Sequence, residues 1–279
     1  MATAPALALR PSFPPQKREK YAGSDERMIT DWHFYLAAIP AVMLQGMAKG
    51  GFSGIGGLAL PLMCLVISPI QAAAIQLPIL IAQDVVSVWA YRRNLHKTNF
   101  FYCLPGTMVG IAIGAFLATS VTPSAVQLIV GLIAASFVLM SLPRKGQEQK
   151  PTQPALGKAS LWSTIAGFTS FIANAGGPPM QVYLMPQKLA PAVFAGTMSV
   201  LFGIVNWVKM GVFFTLGQLS APNLATSAVL LPVAVAATFL GVFMVRRMSG
   251  AKFYPIIRAT TFLVGLKLIY DGASGLLAS

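Results

Sequence analysis

Eight long apolar segments, separated by short polar stretches, make up most of this chain. Most of them are close to the roughly 20 residues that a helix needs to cross a bilayer. The pattern therefore predicts an all-α integral membrane protein. The segments run over residues 33–48 with 57–68, 71–91, 100–119, 123–142, 159–174 with 178–187, 191–215, 222–245 and 256–275.

Glycine-rich stretches interrupt the first and the fifth of these segments. The first stretch runs from Lys49 to Pro61 and contains five glycines, and the second runs from Asn174 to Pro179. Each glycine inside a helix costs about 1 kcal/mol relative to alanine, so a continuous helix is disfavoured. Non-helical backbone at membrane depth persists only where it is buried in protein or lines a watery cavity. Because paired interrupted segments indicate a transporter site, we predict that the two glycine loops meet near the bilayer midplane.

Similar features recur at matching places in the two halves of the chain. Gly56–Gly57 aligns with Gly176–Gly177, and Asp84 falls opposite Asn206. We predict two inverted-topology repeats, each a broken or re-entrant helix followed by three transmembrane helices. The predicted organisation is a flexible N-terminal tail at 1–31, a first repeat at 32–142, a linker at 143–158 and a second repeat at 159–279.

Composition supports the membrane assignment and bears on partners. Hydrophobic residues make up 56% of the chain and charged residues 10%, whereas about a quarter of the residues in soluble domains are charged. The net charge of +13 comes largely from short basic runs between apolar segments and in the N-terminal tail. The runs between segments are typical of the cytoplasmic loops of membrane proteins. We therefore expect the lipid bilayer as a partner, and no nucleic acid.

The basic loops bear on how the segments cross the membrane. Lysines and arginines cluster at 92–97, 144–158 and 246–252, whereas the loops at 119–123 and 216–222 have none. If the broken segments re-enter as hairpins, all three clusters lie on the cytoplasmic side, and this arrangement is favoured. If all eight segments cross, one cluster lies outside. The basic N-terminal tail opposes re-entry, because re-entry places the tail outside, so both arrangements stay open.

Lys49, at the start of the first glycine loop, is the main candidate for binding an anion. A lysine at membrane depth costs several kcal/mol unless it is paired or hydrated. We favour a role in binding an anionic substrate, aided by N–H groups at the start of a half-helix near Gly57; the alternative is a side chain that reaches back to the interface. The predicted substrate-binding residues come from both loops and the span after the second: Lys49, Gly50, Gly51, Ser53, Gly54, Gly56, Gly57, Asn174, Gly176, Gly177, Gln181 and Asn206.

Other polar residues within the spans have two interpretations each. Asp84 is treated as the sole acid within a span, either a protonatable group that couples transport to a proton gradient or a structural partner of Lys49, Lys209 or a backbone N–H. Lys209 lies one turn from Asn206 and is expected to reach the interface at the end of its span. Hydrogen bonds between helices are the expected role of three glutamines, Gln45, Gln76 and Gln83.

The sequence contains no pattern of catalytic or metal-binding residues. Cys64 and Cys103 have no metal or redox spacing, and His33 and His96 belong to no catalytic motif. The first glycine stretch lacks the Lys-Ser/Thr that follows a phosphate-binding loop. We therefore expect no enzymatic activity, no metal and no cofactor.

Both glycine stretches resemble the signatures of a known family. The run Gly50–Pro61 resembles the first glycine-rich signature of the sulfite exporter TauE/SafE permeases, and Leu77–Pro78, Asp84 and Tyr91–Arg93 resemble the segment after that signature in the same family. Asn174–Pro179 resembles the second signature, and the match covers about 33–275. One departure is Thr169, which aligns with Lys49, so positive charge at the site is expected only from the first half.

The resemblance implies a multi-pass permease of the bacterial inner membrane. Members of the family export, or in some cases take up, sulfite, sulfonates such as sulfoacetate and other small organic anions. We expect a secondary transporter, an exporter that binds its anion between the two loops and works by alternating access. An anion channel that uses the same loops is the alternative. The coupling ion, with a proton as one candidate, and assembly into a homo-oligomer stay open.

Overall fold

Helices form all the regular secondary structure in the part of the chain that the computed structural model describes, residues 29–52, 55–67, 69–117, 120–142, 150–215 and 220–277. The predicted all-α fold is thus confirmed. Most of the predicted tail and the start of the linker lie outside these ranges. The helices are α1 Trp32–Lys49, α2 Ala59–Cys64, α3 Pro69–Tyr91, α4 Lys97–Leu117, α5 Pro123–Met140, α6 Leu156–Ala173, α7 Gly177–Leu184, α8 Pro191–Thr215, α9 Ala221–Arg247 and α10 Gly250–Leu277.

Six of these helices, α3, α4, α5, α8, α9 and α10, are long and apolar enough to cross a membrane. Large apolar side chains on them face outward, with Phe116 on α4 85% exposed and Leu139 on α5 58% exposed. Such a surface is unfavourable in water and suits the hydrocarbon of a bilayer. The structure therefore agrees with the sequence that this is a multi-pass membrane protein.

Both predicted interruptions are breaks between helices. α1 ends at Lys49, and Gly51 follows with a φ of 125°, a backbone conformation that side chains with a Cβ rarely adopt. A 3₁₀ turn, Ile55–Leu58, then leads into α2, so the short α-helix begins slightly later than the predicted start near Gly57. α6 ends at Ala173, and the next residue, Asn174, adopts a left-handed conformation; Pro178 lies in the first turn of α7.

The pairs of helices that pack together in the protein stay the same when each helix is replaced by its counterpart in the other half of the chain. α1 packs on α9, and its counterpart α6 packs on α4. α3 packs on α8 and α5 on α10, and each of these pairs joins counterparts from the two halves. This pattern is the one that two structurally related repeats would produce. The inverted orientation of the repeats stays a prediction.

Glycines allow the broken helix α1 to lie close to α9. A Cβ on Gly50 would lie 2.6 Å from the Cα of Gly241, and one on Gly46 would lie 2.7 Å from the carbonyl oxygen of Ala234. At the contact of the second broken helix, a Cβ on Gly167 of α6 would collide with the carbonyl oxygen of Thr107 on α4. Small residues at such crossings let helix backbones approach within a membrane. Each broken helix is thus held against a span of the opposite half.

The re-entrant arrangement makes a prediction about sidedness. Because the loop that contains Ser120 has no basic residue and Ser249 lies beside a basic cluster, we expect Ser120 outside and Ser249 on the cytoplasmic side. The test is labelling of single-cysteine variants in intact cells with a thiol reagent that does not cross the membrane, after replacement of Cys64 and Cys103. Labelling of a cysteine at Ser249 as fast as one at Ser120 would contradict the hairpin arrangement.

Candidate functional site

A cavity of about 390 Å³ lies between the two helix breaks. This volume is within the range of about 300–1,000 Å³ that is usual for small-molecule sites. The structure places most of the predicted binding residues on its wall. They are Lys49, Gly51, Gly56 and Gly57 from the first half and Asn174, Gly176, Gly177 and Asn206 from the second.

Two of the remaining predicted residues, Gly50 and Gln181, do not line this cavity. Gly50 is buried where α1 packs on α9. Gln181 is fully buried, and its amide oxygen accepts a hydrogen bond from the hydroxyl of Thr261 on α10. Helix packing accounts for both positions, which sequence spacing alone does not distinguish from cavity positions. Ser53 and Gly54 lie outside the described residues.

Lys49 is bound to Asp84 inside the protein. The Nζ atom of Lys49 lies 2.5 Å from Oδ1 of Asp84, and the Lys49 side chain is only 15% exposed. Asp84 is 1% exposed, and its Oδ2 accepts a hydrogen bond of 2.6 Å from the amide nitrogen of Asn206. The Lys49 side chain therefore points to a carboxylate at the cavity instead of reaching back to the interface. Lys49 is thus the structural partner of Asp84, as one of the two interpretations of Asp84 predicted.

The expectation that Lys209 reaches the interface is wrong. Lys209 is 6% exposed, and its ammonium donates to the carbonyl oxygen of Ser170, to the Ser170 hydroxyl at 3.1 Å and to Oδ1 of Asn174 at 2.8 Å. The Ser170 carbonyl is one of the last four of α6, which have no partner within the helix. The end of a helix also attracts positive charge. The break in α6 thus creates a set of acceptors for a lysine inside the protein.

Asp271 is a second acid within a span, so the treatment of Asp84 as the sole one is wrong. Asp271 lies on α10, one turn after Lys267, and accepts hydrogen bonds of 2.5 Å from the Lys267 ammonium at both of its oxygens. Both side chains line the cavity, and both are less buried than Asp84. The spacing of four residues on a helix was the signal in the sequence that indicated this pair.

The buried glutamines form hydrogen bonds between helices, as predicted. Gln45 on α1 donates to Gln76 on α3 at 3.3 Å, and Gln83 on α3 donates to the carbonyl oxygen of Val42 on α1 at 3.3 Å. Gln45 and Gln76 also line the cavity, as do Ser170 and Ser199. None of these four was predicted at the site. Their polar character within apolar helices was the only signal in the sequence.

Few backbone N–H groups are free to donate hydrogen bonds at the second break, although a helix starts there. α7 begins Gly177-Pro178-Pro179, and prolines have no N–H group. The N–H of Met180 already donates to the carbonyl oxygen of Gly176. Side chains therefore dominate the polar chemistry on this side of the cavity, and Asn174 is the nearest of them to the break.

A multi-pass helical protein with a cavity between two interrupted helices, lined in part by charged and amide side chains, is typical of membrane transporters. The family model described as Sulfite exporter TauE/SafE matches residues 38–268, which include both breaks and the Lys49–Asp84 pair. The chain therefore belongs to the sulfite exporter TauE/SafE family of membrane permeases. A search of curated proteins and a search of solved structures each found no match.

The cavity glycines differ in how much space surrounds them, which gives a test of their roles. A Cβ on Gly176 would lie 2.6 Å from the carbonyl oxygen of Ala166, whereas one on Gly57 would meet its nearest neighbour, Val264, at 3.6 Å. We expect Gly176→Ala to destabilise the protein by about 1–3 kcal/mol through overpacking. Gly57→Ala, the matched control, has room for the added methyl and is expected to leave the Tm nearly unchanged.

Thermal unfolding of the purified variants in detergent measures both changes. Equal Tm values for Gly176→Ala and Gly57→Ala would show that the packing around Gly176 does not depend on the absence of a side chain.

Proposed function

We propose that this protein is a secondary transporter that exports a small anion, sulfite or an organosulfonate, across the bacterial inner membrane. Membership of the TauE/SafE family supports the assignment to transport. The observation that carries the assignment to an anion is the position of Lys49, whose ammonium lies at a largely buried cavity wall between the two breaks. A positive charge in such surroundings favours an anionic ligand.

Polar side chains from the second half and glycines from the first complete the proposed binding site. Asn174 accepts from Lys209 at its Oδ1, which leaves its amide nitrogen to donate to an oxygen of the anion. Ser199 lines the same cavity, and its hydroxyl lies 3.5 Å from the carbonyl oxygen of Lys49. Gly56 and Gly57 keep the wall beside Lys49 free of side chains, so that an anion can approach the backbone.

Competition between Asp84 and the anion for Lys49 provides a route to proton coupling. Asp84 holds the Lys49 ammonium by a direct ion pair, so an anion gains most from Lys49 when this carboxylate is protonated. The proton and the anion then move in the same direction, so export requires that the outward gradient of the anion exceed the inward gradient of protons. Rocking of one half against the other would expose the cavity alternately to the two sides of the membrane.

The Lys49→Gln variant tests the site. We expect it to weaken anion binding by about 1.5–3 kcal/mol, the range for a hydrogen bond to a charged group, which is roughly a 10- to 150-fold loss of affinity. The measurement is a titration of purified protein with sulfite, thiosulfate, sulfoacetate, taurine and acetate, monitored by thermal stabilisation. Each variant is compared with its own ligand-free Tm, because loss of Lys49 also leaves Asp84 without its ion-pair partner.

Lys158→Gln is the control for this titration, since Lys158 is exposed at the start of α6 and does not line the cavity. It is expected to bind each anion as the wild type does. If Lys49→Gln also binds every anion as tightly as the wild type, Lys49 does not contact the ligand and the site is wrongly placed.

The Asp84→Asn variant tests the coupling. Because the amide does not balance the charge of Lys49, we expect tighter anion binding at neutral pH. We also expect the variant to lack the rise in affinity at lower pH that the proposed coupling predicts for the wild type. Accumulation driven by a proton gradient should weaken at the same time. Uptake into proteoliposomes at several pH values measures these effects, and a wild-type pH dependence in the variant would remove Asp84 from the mechanism.

Electrical recording separates the transporter from the alternative, an anion channel. A transporter that alternates between two sides gives no unitary current steps in a planar bilayer. Discrete single-channel openings carried by sulfite would favour the channel and contradict alternating access.

A further inference from the structure

Five charged side chains lie at the cavity or contact its wall in the described part of the chain. Lys49 is paired with Asp84, and Lys267 is paired with Asp271. Lys209 forms no ion pair with any carboxylate among the described residues. Three lysines against two carboxylates leave one amino group, that of Lys209, without a carboxylate partner among the described residues.

Neutral groups hold the Lys209 ammonium beside the cavity. Its acceptors are two oxygens of Ser170 and the amide oxygen of Asn174. Lys209 also lines a recess of about 30 Å³ together with Gln76, Asn174 and Asn206. All three of these neighbours line the main cavity as well. An anion in the main cavity would therefore be separated from Lys209 by no more than one layer of polar side chains.

A buried ammonium without a carboxylate lacks the compensation that the other two lysines have. Moving a charge out of water is costly, and the end of a helix offsets only part of that cost. A mobile anion in the adjoining cavity would supply the missing negative charge. The interaction is long-ranged, because the field of a charge is weakly screened where water is largely excluded.

We propose that Lys209 provides the net positive charge that attracts a small anion, a sulfur oxyanion or a carboxylate, into the cavity. The proposal rests on the proposed function as an anion permease and assigns its electrostatics to a second residue. Lys49 contacts the anion but adds no net charge while Asp84 is ionised. Lys209 contributes net charge without replacing Lys49 as the direct contact.

The proposed role of Lys209 also changes which half of the chain is expected to supply positive charge to the site. Thr169 aligns with Lys49, so the second glycine loop has no lysine of its own, and positive charge was expected only from the first half. Lys209 on α8 supplies that charge from the helix that follows, and it reaches the break in α6 through Asn174 and Ser170. Each break therefore has one ammonium group, although the two groups come from different positions in the repeat.

A pair of charge changes tests the proposal. Lys209→Met removes the net charge and is expected to weaken binding of sulfite, sulfoacetate and acetate by about tenfold or more, which corresponds to at least about 1.4 kcal/mol. Adding Asp84→Asn frees the charge of Lys49 and restores the net charge of +1. The double variant is therefore expected to bind these anions within about threefold of the wild type, a difference well below one factor of ten. Affinities come from thermal stabilisation, with Lys158→Gln as the control.

The outcomes separate this proposal from the proposed function. If the wild type binds none of the three anions, both are wrong. If the wild type binds and Lys209→Met binds equally well, the anion site stands and the role of Lys209 is wrong. If both the single and the double variant lose binding, Lys209 acts only in packing, which equally overturns the proposal.

A second substitution covers the case in which Lys209→Met does not fold. Lys209→Gln also removes the charge but keeps a donor for the Ser170 carbonyl, and its result is interpreted in the same way. If only the double variant folds, binding close to that of the wild type supports the proposal, and a loss of about tenfold overturns it.

Discussion

The ion pair between Lys49 and Asp84 makes it feasible for α1 to end inside the protein. A lysine and an aspartate are each unfavourable in a membrane interior, and together they compensate one another only with good geometry and further hydrogen bonds. Asp84 has both, because its second oxygen accepts from Asn206 across the contact between α3 and α8. One buried carboxylate thus connects the first break to a span of each half.

Backbone groups freed by the first break are also bound by side chains. The carbonyl oxygen of Gly50 accepts a hydrogen bond of 2.5 Å from the hydroxyl of Tyr91 at the end of α3. Arg246 on α9 donates to the carbonyl oxygen of Ala90, at the same end of α3. Since unpaired backbone groups at membrane depth cost several kcal/mol each, such contacts are needed wherever a helix is interrupted. They tie the break, α3 and α9 into one unit.

Different groups compensate the buried charges and backbone atoms at the two helix breaks. At the first, a lysine at the helix end binds a carboxylate on α3. At the second, a lysine on α8 binds the free carbonyl oxygen of Ser170 and the amide of Asn174. The contacts between helices recur in the two halves, but among the described residues only the first break has a carboxylate, that of Asp84, beside its lysine. Coupling and charge attraction can therefore be divided between the halves of one cavity.

Much of the fold could be predicted from the sequence, because length and hydrophobicity alone determine which segments cross a bilayer. The breaks could be predicted too, since clustered glycines and prolines disfavour a helix wherever they occur. The placement of Lys49 and Asn174 at a common cavity followed from the matching positions of the two glycine stretches.

Only the tertiary structure decided which polar groups meet. Asn206 and Asp84 are 122 residues apart, and Lys209 lies 39 residues from Ser170, so no local pattern joins them. Gly50 lies in the first glycine stretch and Gln181 lies two residues after the second, yet helix packing turns both away from the cavity. The burial of Lys209 escaped prediction for a related reason: the acceptors that allow it exist only because α6 ends at Ala173 and that helix end packs beside α8.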